Sequence, residues 1–267
     1  MFIIFYLFYK ILHKIIFKLF PEEWSIKLIS LNTNNNFILK HNNYEYFADP
    51  FVFQFKDKII LVFETFDKRL KIGRISMYVL NNKLEVLDYF DSILNLSKHS
   101  SYPFILNLEN NFFMIPETSK NKTLSVWKFD NYSFQFLQDI LIDVEFVDTN
   151  VYKVNNYLLF TTTDLSNNNR NMYFTTDLNF NIIQKPTYSD FNISRNAGID
   201  YQNIINKISQ NRTINYYGTN IYVSKIDFHS NVFINSSNEE YSNYLINHYG
   251  VHHFVKFNDL VTFDYKI

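Results

Sequence analysis

The chain has 267 residues, 47% of them hydrophobic, with 29 Phe, 20 Tyr, only 4 Gly and a formal net charge of −1. So small a charge excludes a protein whose main work is gripping nucleic-acid phosphates. The absence of cysteine excludes a disulfide framework and a thiolate metal site, and is compatible with a cytoplasmic protein.

Residues 2–20, FIIFYLFYKILHKIIFKLF, form the one predicted helix. An apolar opening is followed by Lys10, Lys14 and Lys18 at i, i+4 and i+8, with His13 beside them. One basic stripe on an apolar helix is the pattern of a segment lying in a membrane interface. The alternatives are packing on the domain or on a second subunit, or a span, which needs about 20 apolar residues that the lysines interrupt. No positive region precedes the apolar run and no small-residue cleavage site follows it, unlike a signal peptide. Pro21 ends the helix.

Trp24 to Ile29 then alternates as a strand, and residues 31–45 read as a polar connection. From Tyr46 onward a hairpin unit recurs. Tyr46-Phe47-Ala48-Asp49-Pro50-Phe51 runs through a turn at Lys56-Asp57 to a strand ending at Phe63-Glu64. Ser101-Tyr102-Pro103-Phe104 leads through Asn110-Asn111 to Pro116-Glu117, and Val147-Asp148-Thr149 leads through Asn155-Asn156 to Thr161-Thr162-Thr163. Ser194-Arg195-Asn196 leads to Ser209-Gln210, and a shortened copy runs from Gly250-Val251-His252-His253 to Asp264-Tyr265. Asn serves the turns because it tolerates the left-handed conformation that Gly would otherwise supply.

The units begin roughly 50 residues apart, a period expected of propeller or solenoid arrays. Four of them share one offset of 15 residues: Asp49 to Glu64, Tyr102 to Glu117, Asp148 to Thr163 and Arg195 to Gln210 (64 − 49, 117 − 102, 163 − 148, 210 − 195). In a hairpin, the start of one strand and the end of the next lie at the same end, so a fixed offset brings each pair to one rim. The expected fold is therefore all-β: a single five-bladed β-propeller over 21–267 preceded by the amphipathic helix of 1–20. Residues 24–30 are expected to complete the last blade and close the ring, which removes exposed sheet edges.

Asp49, Tyr102, Asp148, Arg195 and His252 are then expected around the mouth of a central channel. Asp49 and Asp148, with Glu64 and Glu117 at the adjoining strand ends, supply a base or nucleophile plus a proton donor for glycosidic chemistry. Crowded acids push one pKa upward, as a general acid requires; the competing reading is a set of turn caps and structural pairs. Arg195 suits a carboxylate, phosphate or phosphorylated sugar, or a salt bridge to Asp148 or Glu117. Tyr102 could stack on a sugar, and Thr163 and Gln210 could bind one. His252 and His253 fit a ligand contact, a divalent ion on the channel axis or simple packing. No HExxH, Walker, dinucleotide or nucleophile-elbow pattern is present.

With these residues in view, the chain resembles five-bladed propellers of glycoside hydrolase family 43. That resemblance implies a general base at Asp49 within Ala48-Asp49-Pro50 and an acid-tuning carboxylate at Asp148, while Arg195 stands where the family has its blade-four acid. From Trp24 onward it is more similar to the propeller domain at the N-terminus of plant glucosamine inositolphosphorylceramide transferases and in bacterial proteins of surface polysaccharides. The shared elements are Ala48-Asp49-Pro50-Phe51, Phe63-Glu64, Ser101-Tyr102-Pro103-Phe104, Met114-Ile115-Pro116-Glu117-Thr118, Val147-Asp148-Thr149, Ser194-Arg195, Ala197-Gly198, Gln210 and Tyr217-Gly218. It implies glycosyl transfer in bacterial surface-polysaccharide assembly, at the inner face of the membrane, with a sugar or phosphorylated sugar as ligand. Glycoside hydrolysis and non-catalytic glycan binding are the alternatives.

Overall fold

The computed structural model describes residues 23–189, 195–202, 206–213, 216–227, 232–235 and 250–266. The predicted helix of 2–20 lies outside the described residues. Within them the secondary structure is β-strand apart from one 3-10 turn at Ser119–Asn121, and the fold is an all-β propeller.

Strands β1 (Trp24–Ser30) and β2 (Asn36–Leu39) form a hairpin. The second lies within the stretch read as a polar connection: Asn36-Phe37-Ile38-Leu39 is too short and too exposed to carry an obvious alternation. A four-stranded meander follows, made of β3 (Glu45–Phe55), β4 (Lys58–Asp67), β5 (Ile72–Leu80) and β6 (Val86–Phe90). A second comprises β7 (Ser101–Leu108), β8 (Asn111–Glu117), β9 (Thr123–Asp130) and β10 (Ser133–Ile142). A third comprises β11 (Phe146–Val154), β12 (Tyr157–Asp164), β13 (Arg170–Asp177) and β14 (Ile182–Tyr188). The remaining strands are β15 (Asn196–Asp200), β16 (Asn206–Thr213), β17 (Tyr216–Asp227), β18 (Val232–Asn235), β19 (Phe254–Phe257) and β20 (Leu260–Lys266).

These last six join β1 and β2 in one eight-stranded sheet, ordered β18-β17-β16-β15-β19-β20-β1-β2. The described strands thus make four blades rather than the five expected. The junction explains the difference. Strands β15 and β19 pair in parallel, Gly198 opposite Phe254 and Ile199 opposite Val255. A Cβ on Gly198 would stand 1.9 Å from the Phe254 carbonyl oxygen, so only glycine permits this approach. By register, Gly198 is equivalent to Pro50, Pro103 and Thr149. Two of those are prolines with no N–H for a cross-blade bond, and the third is β-branched.

The expected ring closure is present: β1 pairs antiparallel with β20, from Trp24 opposite Lys266 to Ser30 opposite Leu260. Burial falls from the axis outward. In β4, Ile59 to Thr65 are all buried, whereas four of the five β6 residues are exposed. Inner strands are covered on both faces and so read as continuous apolar runs. Phe51, Phe53, Phe63, Phe104, Phe160 and Phe174 are wholly buried, each contributing roughly 1.5–3 kcal/mol.

Candidate functional site

Four inner strands, β3, β7, β11 and β15, carry a bulge near the start, between Ala48 and Phe51, Ser101 and Phe104, Val147 and Asn150, and Asn196 and Ile199. A bulge adds one unpaired residue and re-aims its side chain. In the first three blades that residue adopts positive φ: Asp49 at 50°, Tyr102 at 43° and Asp148 at 49°. Asp tolerates this conformation, but a tyrosine there is strained. Hydrogen bonds hold the arrangement. The Asp49 amide donates to Asp264 Oδ2 at 3.1 Å, and Asp49 Oδ2 accepts the Tyr102 amide at 3.3 Å.

The bulges surround a cavity of about 180 Å³ lined by Asp49, Glu64, Glu117, Asp148, Arg195 and His252. Trp24, Tyr46 and His99 wall it, and Ala48 and Ser101 leave it room. The Arg195 Nε donates to Asp148 Oδ2. His252 stands between two carboxylates, with Nδ1 2.6 Å from Asp264 Oδ2 and Nε2 3.3 Å from Asp49 Oδ1. The Gly73 amide donates to His99 Nδ1 at 2.8 Å. That bond requires Nδ1 to be bare, so the other nitrogen carries the proton toward Glu64 Oε1, 3.8 Å away.

The carboxyl groups do not ionise alike. Burial pushes Asp49 up, but His252, His253 and Arg195 outweigh it and hold Asp49 below the ordinary range. Burial raises Glu64 well above its usual value, and the charges of Asp49 and Glu117 add to this. Glu117 is pushed up to about 8 by burial and by Asp148, against Arg195. Asp148 is raised by burial, with Arg195 opposing. On β16, burial presses Lys207 down to about 7, and the field of Asp148 partly resists. At neutral pH one mouth therefore holds an ionised Asp49 beside a protonated Glu117, with Glu64 raised in the same direction.

Residues 33–233 match the family model described as glucosamine inositolphosphorylceramide transferase 1, N-terminal. The chain belongs to that family. Among curated relatives, glucosamine inositolphosphorylceramide transferase 1 of Oryza sativa subsp. indica is 29% identical over 105 residues, covering 39% of this chain and 14% of the relative. The protein of the same name from subsp. japonica gives the same figures, so the chain spans about one seventh of the length of these relatives. Solved structures share the fold. The catalytic domain of Coprinopsis cinerea GH62 α-L-arabinofuranosidase superposes with a TM-score of 0.52 at 10% identity, over 87% of this chain and 83% of that one. An exo-β-1,3-galactanase of Phanerochaete chrysosporium, solved with β-1,3-galactotriose, gives 0.54 at 12% identity over 73% and 49%.

In this member of the family, the structure brings together Asp49, Glu64, Glu117, Asp148, Arg195 and His252 as expected. It does not bring the rest to the cavity wall. Tyr102 is wholly buried; its hydroxyl donates to Asn150 Oδ1 at 2.8 Å and accepts the Gly198 amide at 2.9 Å, so the ring plugs the channel and offers no stacking face. Thr163 donates to Asn171 Oδ1, and Gln210 Nε2 donates to the Asn196 carbonyl. Both are buried away from the cavity. His253 is packed between Phe51 and Tyr102, its Nδ1 3.5 Å from Asp49 Oδ1.

The rim register also needs correction. Glu64, Glu117 and Thr163 pair with Ala48, Ser101 and Val147, one residue before the bulged position. In the fourth unit Asn196 pairs with Ser209, so Ala197 is equivalent to Asp49 and Arg195 lies two residues earlier. Arg195 reaches the mouth through the length of its side chain. Sequence reasoning missed Trp24, Tyr46, His99 and Ser101 as lining and Asp264 as the partner of His252. Asp264 follows the apolar run of the last strand as Glu64 and Glu117 follow theirs, which was the available signal. Asp49, His252 and Asp264 each place one ligand atom within 4.8 Å of the others, which fits the donor set of a small divalent ion on the axis. Such an ion would have to displace the proton of His252.

Proposed function

We propose that this domain is carbohydrate-active and transfers a glycosyl unit at the carboxylate mouth. The observation that supports this reading is the split ionisation within one cavity: Asp49 held low, Glu64 and Glu117 held high. Asp49 accepts the proton of the acceptor hydroxyl as that oxygen attacks the anomeric carbon. Glu117 or Glu64 gives its proton to the departing oxygen, so charge is conserved across the step. Trp24 and Tyr46 offer aromatic wall, and Arg195 offers its guanidinium to an anionic group on the donor in competition with Asp148. A cavity this small suits a single terminal sugar, since clefts for drug-sized molecules occupy roughly 300–1,000 Å³.

The setting we favour is assembly of a surface glycan in bacteria, on the cytoplasmic side of a membrane contacted through residues 2–20. It rests on the resemblance of the motifs and on the basic stripe of that segment. Hydrolysis is the second reading, favoured by the propeller shared with the galactanase; water would replace the acceptor hydroxyl at Asp49.

The test is a thermal-shift and turnover screen of the full chain against nucleotide sugars, sugar phosphates and free oligosaccharides. A nucleotide sugar or sugar phosphate should stabilise the protein and be consumed in the presence of an acceptor. Asp49→Asn should lower turnover by about 10²–10⁴-fold with binding retained. Turnover of free oligosaccharide alone would move the reading to hydrolysis. An Asp49→Asn effect on affinity only, with no turnover of any compound, would make the domain a glycan-binding module.

A further inference from the structure

The other end of the propeller axis carries a cavity of about 440 Å³, larger than the carboxylate mouth. All five inner strands reach it: Gln54 from β3, Asn107 from β7, Lys153 from β11, Ile199 from β15 and Phe257 from β19. It is therefore a feature of the ring and not a dent beside one loop. We propose that this opposite mouth is a second ligand site, which takes a neutral saccharide.

The chemistry of the lining argues for that class. Among the described residues no carboxylate lines the cavity, and the one charged residue, Lys153, has Glu109 3.9 Å away. The polar groups are carboxamides, from Gln54, Asn107, Asn110 and Asn258. A carboxamide presents a donor and an acceptor side by side, which matches adjacent sugar hydroxyls. Asn258 Nδ2 donates to Gln54 Oε1 at 3.4 Å, a bond that uses neither the Gln54 amide group nor the Asn258 oxygen. The floor is apolar and buried, formed by Leu106, Phe112, Val151 and Phe257. Tyr201 stands over it half-buried, its ring edge-on to Phe257 at 5.4 Å and its hydroxyl fixed on the Ile105 carbonyl. A fixed aromatic ring beside amides presents an apolar face to C–H groups and polar atoms to hydroxyls, with little entropy to lose on binding.

Turn geometry accounts for part of this set. Asn110 and Asn258 occupy positive φ, and Asn107 Oδ1 caps its own turn by accepting the Asn110 amide. It accounts for neither the exposed Gln54 nor Tyr201. The two mouths are separated by a plug in which Phe51, Tyr102, Asn150 and His253 are wholly buried, so ligands at the two ends can be assayed apart.

The experiment is calorimetric titration of the full chain with glucose, galactose, N-acetylglucosamine and cellobiose. The variants are Asp49→Asn, Gln54→Ala, and Gln54→Ala combined with Asn258→Gly, which keeps the turn while removing its carboxamide. Thermal unfolding checks that each variant is folded. At least one sugar should bind the wild type with Kd near or below about 1 mM. The double variant should weaken that binding at least about tenfold, roughly 1.4 kcal/mol, and Asp49→Asn should leave it unchanged. Binding that the double variant leaves unweakened, whatever Asp49→Asn does, would place the sugar outside this mouth and overturn the proposal, as would failure of all four sugars to bind.

Discussion

His252 Nδ1 lies 2.6 Å from Asp264 Oδ2 in the innermost part of the ring, where Asp264 is fully buried. Burial alone would lower the imidazole pKa, yet the charges of Asp264 and Asp49 raise it to about 9. The resulting imidazolium is the largest of the influences that lower the Asp49 pKa, ahead of His253 and Arg195. Because the folded pKa lies above the ordinary value of 6.5, this stabilisation is complete below that pH and is lost as pH rises through about 9. Asp264→Asn should therefore destabilise the protein by about 3–5 kcal/mol at pH 6, as expected for a broken buried pair. The gap from wild type should narrow toward pH 10. Comparing the two proteins across pH by chemical denaturation removes the opposing contribution of Lys207, whose depressed pKa makes stability rise with pH. A gap that stays constant with pH would show that His252 does not titrate as described.

Glu117 gives the opposite signature to a salt-bridged acid. Its pKa is raised from 4.5 to about 8, so between those values the folded state holds a proton that the unfolded state has released. Stability must then fall as pH rises from about 4.5 to about 8. Glu117→Gln mimics the protonated form and should flatten that slope, with little change in stability at pH 5 and a gain at pH 8. If Glu117 is the proton donor, the same variant should also lower turnover about 10²–10⁴-fold and remove the basic limb of the rate profile. Melting temperatures and rates across this pH range, measured together, separate the structural role from the chemical one.

These two residues also mark how far the sequence could be read. Glu64 and Glu117 were found because each closes an apolar run that begins with a motif near Asp49 or Tyr102, a local pattern in the chain. The partners that set their ionisation come from distant strands. Glu117 and Asp264 act on Glu64, and Asp148 and Arg195 act on Glu117, while Asp264 reaches the Asp49 amide only because the last strand returns to the first blade. The period of the hairpins revealed the propeller, but the joining of two blades depended on Gly198 meeting Phe254, a contact between residues far apart in the chain. Tyr102 was misread for a similar reason: a bulge with positive φ turns its ring into the axis, and a strand pattern alone does not show a bulge.

Gly73 offers a test of how tightly the acid is placed. A Cβ there would stand 2.1 Å from Glu64 Oε1 and 2.6 Å from His99 Cε1. Backbone φ at Gly73 is not in the left-handed region, so alanine adds steric conflict without backbone strain. Gly73→Ala should push Glu64 and His99 aside at a cost of about 1–3 kcal/mol from overpacking. A displacement near 1 Å costs on the order of 10²-fold in rate, so turnover should fall far more than stability. Stability by urea titration and turnover on the same preparation decide the matter; parallel, small losses in both would mean that Glu64 does not need this position.

Gly198 governs the fold rather than the chemistry. At φ 99° it occupies backbone space that L side chains rarely adopt, and its missing Cβ lets β15 lie against β19. Alanine there meets both a strained backbone and the Phe254 carbonyl, and it also disturbs the Gly198 amide that anchors the Tyr102 hydroxyl. Strain of this kind costs about 1–3 kcal/mol before the clash is counted, so Gly198→Ala should lower stability by at least about 3 kcal/mol. Opening should begin at the junction of the two joined blades, because among the described residues the other blade junctions have no strand pairing to lose. Hydrogen exchange should therefore show protection lost first at Ile199, Val255 and Lys256, while the β3–β4 hairpin stays protected. Uniform loss across the propeller would mean that the joined sheet unfolds with the rest as one unit.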